Sequence, residues 1–266
     1  MPGVNQEAVE TSRRLRIAER RGTSNTSSKV SPGAGRIFIF PPVKVHGKTK
    51  SGQVLRFAWR FLLYNIRRML SPLPFSFYER NTVDVARALL GMRLVRWYQQ
   101  TRLSGIIIEA EAYRGEEDLA CHARSGYTRR TRVMYGPPGR AYVYFTYGMH
   151  WMLNVVTERE GFPAAVLIRA VQVVEGQSVV AERRAGAPPH HWADGPAKLC
   201  QAFAIDGSLN SADLTTPESG LWIEPGTPFA DSEILSGPRV GINRVPEPWR
   251  SIPWRFRVDA HRGASI

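Results

Sequence analysis

Residues 106–113 of this 266-residue chain, IIIEAEAY, constrain its fold more than any other stretch. β-branched residues lead into an alternating pattern, which predicts a β-strand. Successive side chains of a strand point to opposite faces. One face should mix carboxylates with a phenol and carry Ile107, Glu109, Glu111 and Tyr113. The opposite face should be apolar, suit a core and carry Ile106, Ile108, Ala110 and Ala112.

The two carboxylates on one face of this strand need partners or a function, because an unpaired buried charge costs free energy. Arg169 follows the apolar run 164–168 and is a candidate partner. Glu111 can therefore be interpreted as half of a structural ion pair or as a catalytic acid or base, since burial and the neighbouring Glu109 both raise a carboxyl pKa. The pattern alone favours neither interpretation.

The formal net charge of +13 is concentrated in the N-terminal part of the chain. Residues 1–72 hold 14 Lys and Arg against 3 acidic residues, whereas residues 73–266 hold 22 against 20. A large positive charge is typical of proteins with polyanion partners, but the body is nearly neutral. Binding of nucleic acid by the body must come from local patches, such as the loop arginines Arg124, Arg129, Arg130, Arg132 and Arg140.

Cysteine usage and hydropathy indicate the compartment. Cys121 and Cys200 form no paired-cysteine motif, which fits a reducing compartment. No apolar run reaches the length of a transmembrane helix, and residues 1–50 lack the apolar core of a secretory signal. His122 stands beside Cys121, but no histidine or cysteine recurs at metal-ligand spacing. We therefore expect an intracellular, cytoplasmic protein without a metal or another cofactor.

The N-terminal extension, residues 1–72, differs in composition from the body, residues 73–266. Residues 1–52 are rich in Arg, Ser, Gly and Pro and predict disorder. Residues 54–70 have the pattern of a basic amphipathic helix, which could lie on a membrane, on another protein or on the body. Translation from Met69 is an alternative that would leave this segment out, so its role stays open.

The body predicts an α+β fold, a single domain with a curved, mostly antiparallel β-sheet flanked by helices. Asn81 or Thr82 should cap a helix that ends before Gly91. A turn over 99–105 should join the first two strands, and the long connection 114–140 is typical of a functional loop. The predicted strands are 94–98, 106–113, 141–147, 152–157, 164–173, 221–224 and 254–258, and the predicted helices are 82–90, 176–184 and 195–204.

Aromatic side chains are frequent around these strands, namely Tyr113, His122, Tyr142, Tyr144, Tyr147, His150 and Trp151. Three rings near a carboxylate would suit stacking on a planar base. Core packing explains any single tyrosine of a sheet more simply. Alternation places Tyr142, Tyr144 and Thr146 on one face of strand 141–147 and puts Tyr147 on the other.

Together these segments resemble the alkyladenine (3-methyladenine) DNA glycosylase family. The likeness covers about residues 73–260 in one order and includes FYER at 77–80, ARALLG at 86–91, IEAEAYRGEEDLACHA at 108–123, AYVYFTYGMHWMLNV at 141–155, VLIRA at 166–170, GPAKLCQAF at 195–203 and RVG at 239–241. It implies a base-excision repair enzyme that flips alkylated or deaminated purines from double-stranded DNA. Hydrolysis of the N-glycosidic bond would leave an abasic site, with no cofactor. It also implies a monomer associated with the nucleoid, without a membrane partner.

The resemblance also implies a role for individual residues. For catalysis it indicates Glu111 as the general base, with Arg169 and the backbone of Val240 helping to hold the attacking water. For base binding it indicates Tyr113, His122 and Tyr144 as the stacking rings and Asn154 as the residue that crowds the guanine amino group. For DNA binding it indicates Tyr147 as the wedge that enters the duplex, and Thr128, Arg130 and Lys198 as phosphate contacts.

Two alternatives of other classes stay open. One is a non-catalytic DNA- or RNA-binding relative, against which the intact Glu111 and Arg169 argue. The other is a formyl- or acyl-transfer enzyme with a similar sheet, for which the sequence offers no cofactor motif. A Schiff-base lyase step is not expected, because Lys198 is the only lysine of the body and lies in the presumed phosphate-contacting helix. The preferred lesion and the roles of His150 and Trp151 stay undetermined.

Overall fold

The computed structural model describes residues 71–259. The predictions of disorder over 1–52 and of an amphipathic helix over 54–70 lie outside the described residues. Within the described range, no helix is both long and apolar enough to cross a membrane.

The fold comprises four short α-helices and eight β-strands in the described residues. The helices are α1 Phe75–Tyr78, α2 Thr82–Ala88, α3 Gln177–Arg183 and α4 Pro196–Ala202. The strands are β1 Arg93–Tyr98, β2 Thr101–Arg114, β3 Ala141–Thr146, β4 His150–Val156, β5 Ala164–Glu175, β6 Leu221–Glu224, β7 Leu235–Gly237 and β8 Arg255–Arg257. Single turns of 3-10 helix occur at His122–Ser125, Thr131–Tyr135, Pro189–His191, Gly207–Leu209 and Asp231–Glu233.

All eight strands belong to one antiparallel sheet. Its main path runs β3-β4-β5-β2-β1-β6, and β8 pairs with both β2 and β7. The predicted α+β class with a mostly antiparallel sheet is therefore confirmed. Strand β2 is central: Glu111 lies opposite Leu167 of β5 on one side and Arg255 of β8 on the other. Glu111 thus lies within the sheet, with a paired strand on each side.

A bulge in β2 corrects the predicted distribution of its side chains. The register against β5 shifts between Ile107 and Glu109 and again before Ala110. Because an extra residue in one strand reverses the alternation beyond it, Ile107 joins Ala110 and Ala112 in the core. Ile107 is fully buried there, whereas the sequence predicted it on the face of Glu109.

Two hairpin turns also differ from the predicted boundaries. Strand β2 begins at Thr101, so a two-residue turn replaces the predicted turn over 99–105. Gln99 and Gln100 have φ of 44° and 64°, as a tight turn between twisted strands requires. Strand β3 ends at Thr146, and Tyr147 lies in the β3–β4 turn instead of the strand.

The sheet separates two apolar clusters. The larger cluster lies under α2 and α4 and includes Leu89, Ile168 and Phe203. The smaller cluster lies where the β2–β3 loop covers the sheet, and it consists of Cys121, Ala123, Val133, Met134, Tyr142, Val156 and Ala165, with Tyr113 and Tyr144 packed against it. Two consecutive residues of β5, Ala165 and Val166, point to opposite faces and belong to different clusters. The strands thus build a core on one face and the wall of a cavity on the other.

Candidate active site

Glu111 is a fully buried carboxylate with donors on both oxygens. Its Oε1 accepts from the backbone N–H of Val240 at 2.7 Å, and its Oε2 accepts from the Tyr113 hydroxyl at 2.8 Å and from Arg169 Nη1 at 3.3 Å. Burial raises the pKa of Glu111 above its ordinary value, and the three donors only partly oppose that rise. The residue is therefore a carboxylate poised to take up a proton.

Arg169 connects the two acidic residues of β2. Its Nε donates to Glu109 Oε1 at 2.8 Å, while Nη1 reaches Glu111. Arg255 of β8 lies on the other side of Glu109, with Nε 3.7 Å from the same oxygen. Glu109 is the more exposed of the two acids and lies between both arginines, whereas the fully buried Glu111 contacts Arg169 alone of the two. Arg169, the candidate partner of Glu111 in the sequence, does pair with it, at 3.3 Å.

A cavity of about 360 Å³ lies beside the groups that hold Glu111. The three donors to that carboxylate, Tyr113, Arg169 and Val240, all line it. Its remaining wall is mostly aromatic and apolar, with the amide of Asn154 as a polar exception, and includes His122, Met134, Tyr142, Tyr144, Met152, Asn154, Ala165 and Leu167. The volume falls in the range of small-molecule sites, about 300–1,000 Å³. The rings that the sequence suggested for stacking thus converge on one space.

His122 is held as a neutral ring in this wall. Its Nε2 lies 3.3 Å from Arg130 Nη2, and its Nδ1 lies 3.0 Å from the Tyr142 hydroxyl. Because a guanidinium can only donate, Nε2 must accept and Nδ1 carries the proton. Burial, followed by the nearby Arg130 and Arg124, lowers the pKa of His122 to about 4. The His122 and Tyr144 rings meet edge to face with centroids 4.6 Å apart.

Arg130 lies closer to the cavity than its predicted role as a phosphate contact suggested. Its guanidinium carbon is 4.9 Å from the centroid of the Tyr144 ring, in addition to its contact with His122. The side chain is nevertheless exposed. Arg124, Arg129 and Arg132 are also exposed, whereas Arg140 is paired with Asp213 at 3.2 Å.

Asn154 is held rigidly in the cavity wall. It is 4% exposed, and its Nδ2 donates to the backbone carbonyl of Tyr142, its cross-strand partner, at 3.0 Å. This hydrogen bond explains how a polar residue is tolerated in β4. It also prevents the amide from turning away from anything that enters the cavity.

Tyr147 stands at the mouth of the cavity. It occupies the β3–β4 turn with φ of 52°, beside Gly148 with φ of 70°, and its side chain is 82% exposed. Positive φ is uncommon for a bulky residue, and here the tight turn forces it, with Met149 N–H bonding back to Thr146. The turn therefore presents an aromatic ring to solvent at the edge of the site.

Thr128 and Lys198, the other predicted phosphate contacts, have local partners. Thr128 and Thr131 exchange hydrogen bonds that begin the 3-10 turn Thr131–Tyr135. Lys198 on α4 binds Asp194 at 2.8 Å, and Asp194 also binds His191 at 2.6 Å. Both Thr128 and Lys198 retain exposed surface.

Sequence reasoning missed two residues of the site, Asp118 and Arg239. Their side chains are fully buried and paired, with Arg239 Nη2 2.9 Å from Asp118 Oδ1. The guanidinium also lies over the Tyr113 ring, 4.7 Å from its centroid. Both residues lie in segments that resemble the glycosylase family, Asp118 in 108–123 and Arg239 in 239–241. Their pairing could not be predicted from the sequence, because partners 121 positions apart form no local pattern. Tyr142 belonged to the aromatic set without a role and proves to be the partner of His122.

No group of three side chains suited to a metal ion occurs among the described residues. Cys121 is buried against the cavity, and burial raises its pKa to about 12. Its thiol is therefore protonated at physiological pH.

Comparisons with known proteins agree with one another. The sequence profile of the family described as methylpurine-DNA glycosylase (MPG) matches residues 76–262. A protein of Methanocella arvoryzae is 48% identical over 69% of this chain and 90% of its own length. One of Myxococcus xanthus is 47% identical over 70% of this chain and 89% of its own length, and one of Bacillus subtilis is 40% identical over 74% and 98%. All three carry the name "Putative 3-methyladenine DNA glycosylase".

Proposed function

This chain belongs to the methylpurine-DNA glycosylase family, and we propose that it excises alkylated and deaminated purines from duplex DNA with a water activated by Glu111. As a member of that family it is a DNA glycosylase that acts on alkylated bases. The observation that carries the finer proposal is the buried Glu111 carboxylate, whose three donors all line a cavity with mostly aromatic and apolar walls.

The cavity suits a flipped purine. A base within the duplex is out of reach, so the enzyme must extrude it. Tyr113, His122 and Tyr144 provide the ring surfaces for stacking. Alkylation at a ring nitrogen gives the purine positive character, and electron-rich rings attract such a cation. Because His122 is neutral above about pH 4, it does not oppose that charge.

Glu111 is suited to act as a general base. A carboxylate offers about four acceptor positions, and three donors occupy part of them, which leaves room for one water. The Glu111 side chain has no exposed surface, but its three donors line the cavity, so we propose that the water reaches it from that side together with the substrate. Its oxygen bonds to the sugar carbon, its proton passes to Glu111, and the bond electrons leave with the purine, as in an inverting glycosidase.

The product of this reaction is an abasic site, because the described residues offer no amine for a lyase step. Lys198 is the only lysine among residues 71–259, and its ammonium group is paired with Asp194 at 2.8 Å. A Schiff base requires a free, deprotonated amine near the sugar. We therefore propose a monofunctional glycosylase.

The surface around the cavity mouth suits DNA. Arg124, Arg129 and Arg132 are exposed on the loop that carries His122, and the exposed Tyr147 ring lines the cavity. We propose that Tyr147 fills the space of the flipped base, while Thr128, Arg130 and Lys198 contact phosphates. Since one chain supplies every residue that lines the cavity, a monomer suffices, and we place its activity at the nucleoid.

One experiment tests the proposal directly. Separate duplexes carrying 3-methyladenine, 7-methylguanine, hypoxanthine and ethenoadenine are incubated with the protein, and abasic sites are scored by alkaline cleavage. We expect abasic sites from the alkylated and the deaminated purine and no strand cleavage without alkali. Cleavage without alkali would contradict the monofunctional assignment. The absence of abasic sites from every duplex would reject hydrolysis and favour a non-catalytic DNA-binding protein.

A further inference from the structure

Asp118 joins three parts of the chain around the site. Its side chain accepts from the backbone N–H of Ala120 at 3.0 Å and of Arg114 at 3.3 Å, which ties the start of the long loop to the end of β2. It also forms a two-point ion pair with Arg239, which lies 121 residues later in the chain. Neither side chain has exposed surface.

Arg239 holds the segment that carries Val240 in place. Beyond its contact with Asp118, the guanidinium donates to the carbonyl of Ala112 at 3.0 Å and to that of Trp249 at 3.2 Å. It also lies between two rings, 4.7 Å from the Tyr113 centroid and 5.3 Å from the Trp254 centroid. One side chain therefore fixes both Tyr113, a donor to Glu111, and the backbone next to Val240, another donor.

Resting on the function proposed above, we propose that the Asp118–Arg239 pair is the positioning element of the reaction, which sets the Val240 N–H and the Tyr113 ring against Glu111. Neither residue touches the substrate; both act through the two donors that they place. The planar guanidinium of Arg239 donates to three separate groups, the Asp118 carboxylate and two backbone carbonyls, which a lysine cannot do in the same geometry.

The pair is a poor candidate for a purely stabilising contact. A buried ion pair often stabilises a fold no more than apolar residues of the same volume would. Arg239 Nε is in addition buried without a hydrogen-bond partner among the described residues. A buried donor left unpaired carries a desolvation cost. An arginine retained at that cost is better explained by the precise placement of its neighbours.

The test compares Arg239→Lys and Asp118→Asn with a matched control, Arg102→Lys. Arg102 makes a similar two-point pair with buried Glu224 at 2.7 and 3.1 Å and lies 5.9 Å from the Trp222 ring, at the far end of β2. Single-turnover excision is measured from acidic to alkaline pH on a lesion that the unaltered protein excises. Thermal unfolding and affinity for the lesion duplex are measured alongside.

We expect both site variants to lose about tenfold to a hundredfold in rate at neutral pH, the scale of a small displacement of reacting groups. The acid limb of the pH–rate profile, where the rate falls as pH drops, should also move to higher pH. The reason is that Glu111 loses a donor that favours its ionised form, which raises its pKa. The other groups facing Glu111 are Glu109, Arg169, Tyr113 and Tyr144, with Arg255 behind Glu109, and the substitutions remove none of these groups. Arg102→Lys should keep the unaltered profile.

If the acid limb stays in place in Arg239→Lys and Asp118→Asn, the inference is overturned. This holds even if both variants lose rate, because a rate loss that follows the loss of thermal stability needs only a structural role. Hydrogen exchange at the Val240 amide provides a second measurement that needs no activity. This amide should be protected in the unaltered protein and in Arg102→Lys, and should lose protection in the two site variants. Equal protection in all four proteins would also overturn it. If the unaltered protein excises nothing, the proposed function fails, while the exchange measurement still decides the placement of Val240.

Discussion

The backbone N–H of Val240 donates to Oε1 of Glu111 at 2.7 Å across 129 positions of sequence. A backbone donor cannot be removed by exchanging its side chain, so this contact depends on where the main chain runs. Gly241, with φ of 81°, turns the chain immediately afterwards. The carboxylate is therefore held by one local donor, Tyr113, and by two donors that the fold brings to it.

Replacing Glu111 with Gln should abolish excision of the damaged base while leaving the affinity for the lesion duplex unchanged. The substitution keeps the shape of the side chain and removes the base, and loss of general-base catalysis costs roughly 10²–10⁴ in rate. Lesion affinity should survive, since stacking and phosphate contacts do not need this charge. Single-turnover excision and a binding isotherm measure the two effects separately.

Glu109→Gln is the matched control for that substitution. Glu109 holds Arg169 at 2.8 Å, whereas Val240 and Tyr113 donate to Glu111 instead. Its loss should weaken excision modestly through Arg169. If Glu109→Gln abolishes excision and Glu111→Gln does not, the general base is Glu109, and the assignment to Glu111 is wrong.

Excision should depend on pH through Glu111. Burial raises the pKa of this carboxyl above its ordinary 4.5. Because the base must be ionised, the rate should fall as pH drops through that raised pKa. His122 titrates near pH 4, below this limb, so His122→Gln should leave the position of the limb unchanged. A limb that disappears in the His122 variant would assign the titration to the histidine.

Tyr147→Ala should impair extrusion of the base. The ring is 82% exposed at the cavity mouth, and unstacking a base costs a few kcal/mol. Excision from duplex DNA should therefore fall more than binding of the protein to an undamaged duplex. Phe145→Ala removes a neighbouring exposed ring that packs on Trp151, with centroids 4.8 Å apart, and should have little effect on excision. Equal rates in both variants would make Tyr147 a surface residue without a role in flipping.

Asn154→Ser should relax discrimination against guanine. The amide is pinned by the carbonyl of Tyr142 at 3.0 Å and cannot swing aside for an exocyclic amino group. A shorter side chain creates that space, so excision of undamaged guanine should rise relative to hypoxanthine. Asn210→Ser is the control, because Asn210 also binds the β3 backbone, through Val143 N–H at 3.0 Å, but does not line the cavity. An unchanged ratio in Asn154→Ser would leave the amide a purely structural role.

A chain that begins at Met69 should excise at a similar single-turnover rate. The family profile matches only residues 76–262, and every residue that lines the cavity lies within that range. Residues 1–68 carry 14 Lys and Arg against 3 acidic residues, so non-specific affinity for DNA should fall at low salt. Binding measured against salt concentration separates this effect from chemistry. A large loss of the excision rate itself would show that the segment contributes to the active fold.

The sequence by itself determined the features that depend on near neighbours. Alternation along a strand put Glu109, Glu111 and Tyr113 on one face, and the structure agrees, because side-chain direction over two residues follows from extended backbone geometry alone. Asn81 was predicted as a helix cap, and its side chain does accept from Val83 N–H at 2.9 Å. The antiparallel α+β class followed in the same way from local patterns.

Only the tertiary structure decided how those local elements pair with one another and which distant side chains meet. The bulge that turns Ile107 into the core depends on how β5 pairs with β2. Arg239 reaches Asp118, and Val240 reaches Glu111, because folding brings distant segments together. Such contacts are selected by packing and by the cost of burying unpaired charge over the whole molecule. No window of sequence contains both partners of a contact made across more than a hundred residues.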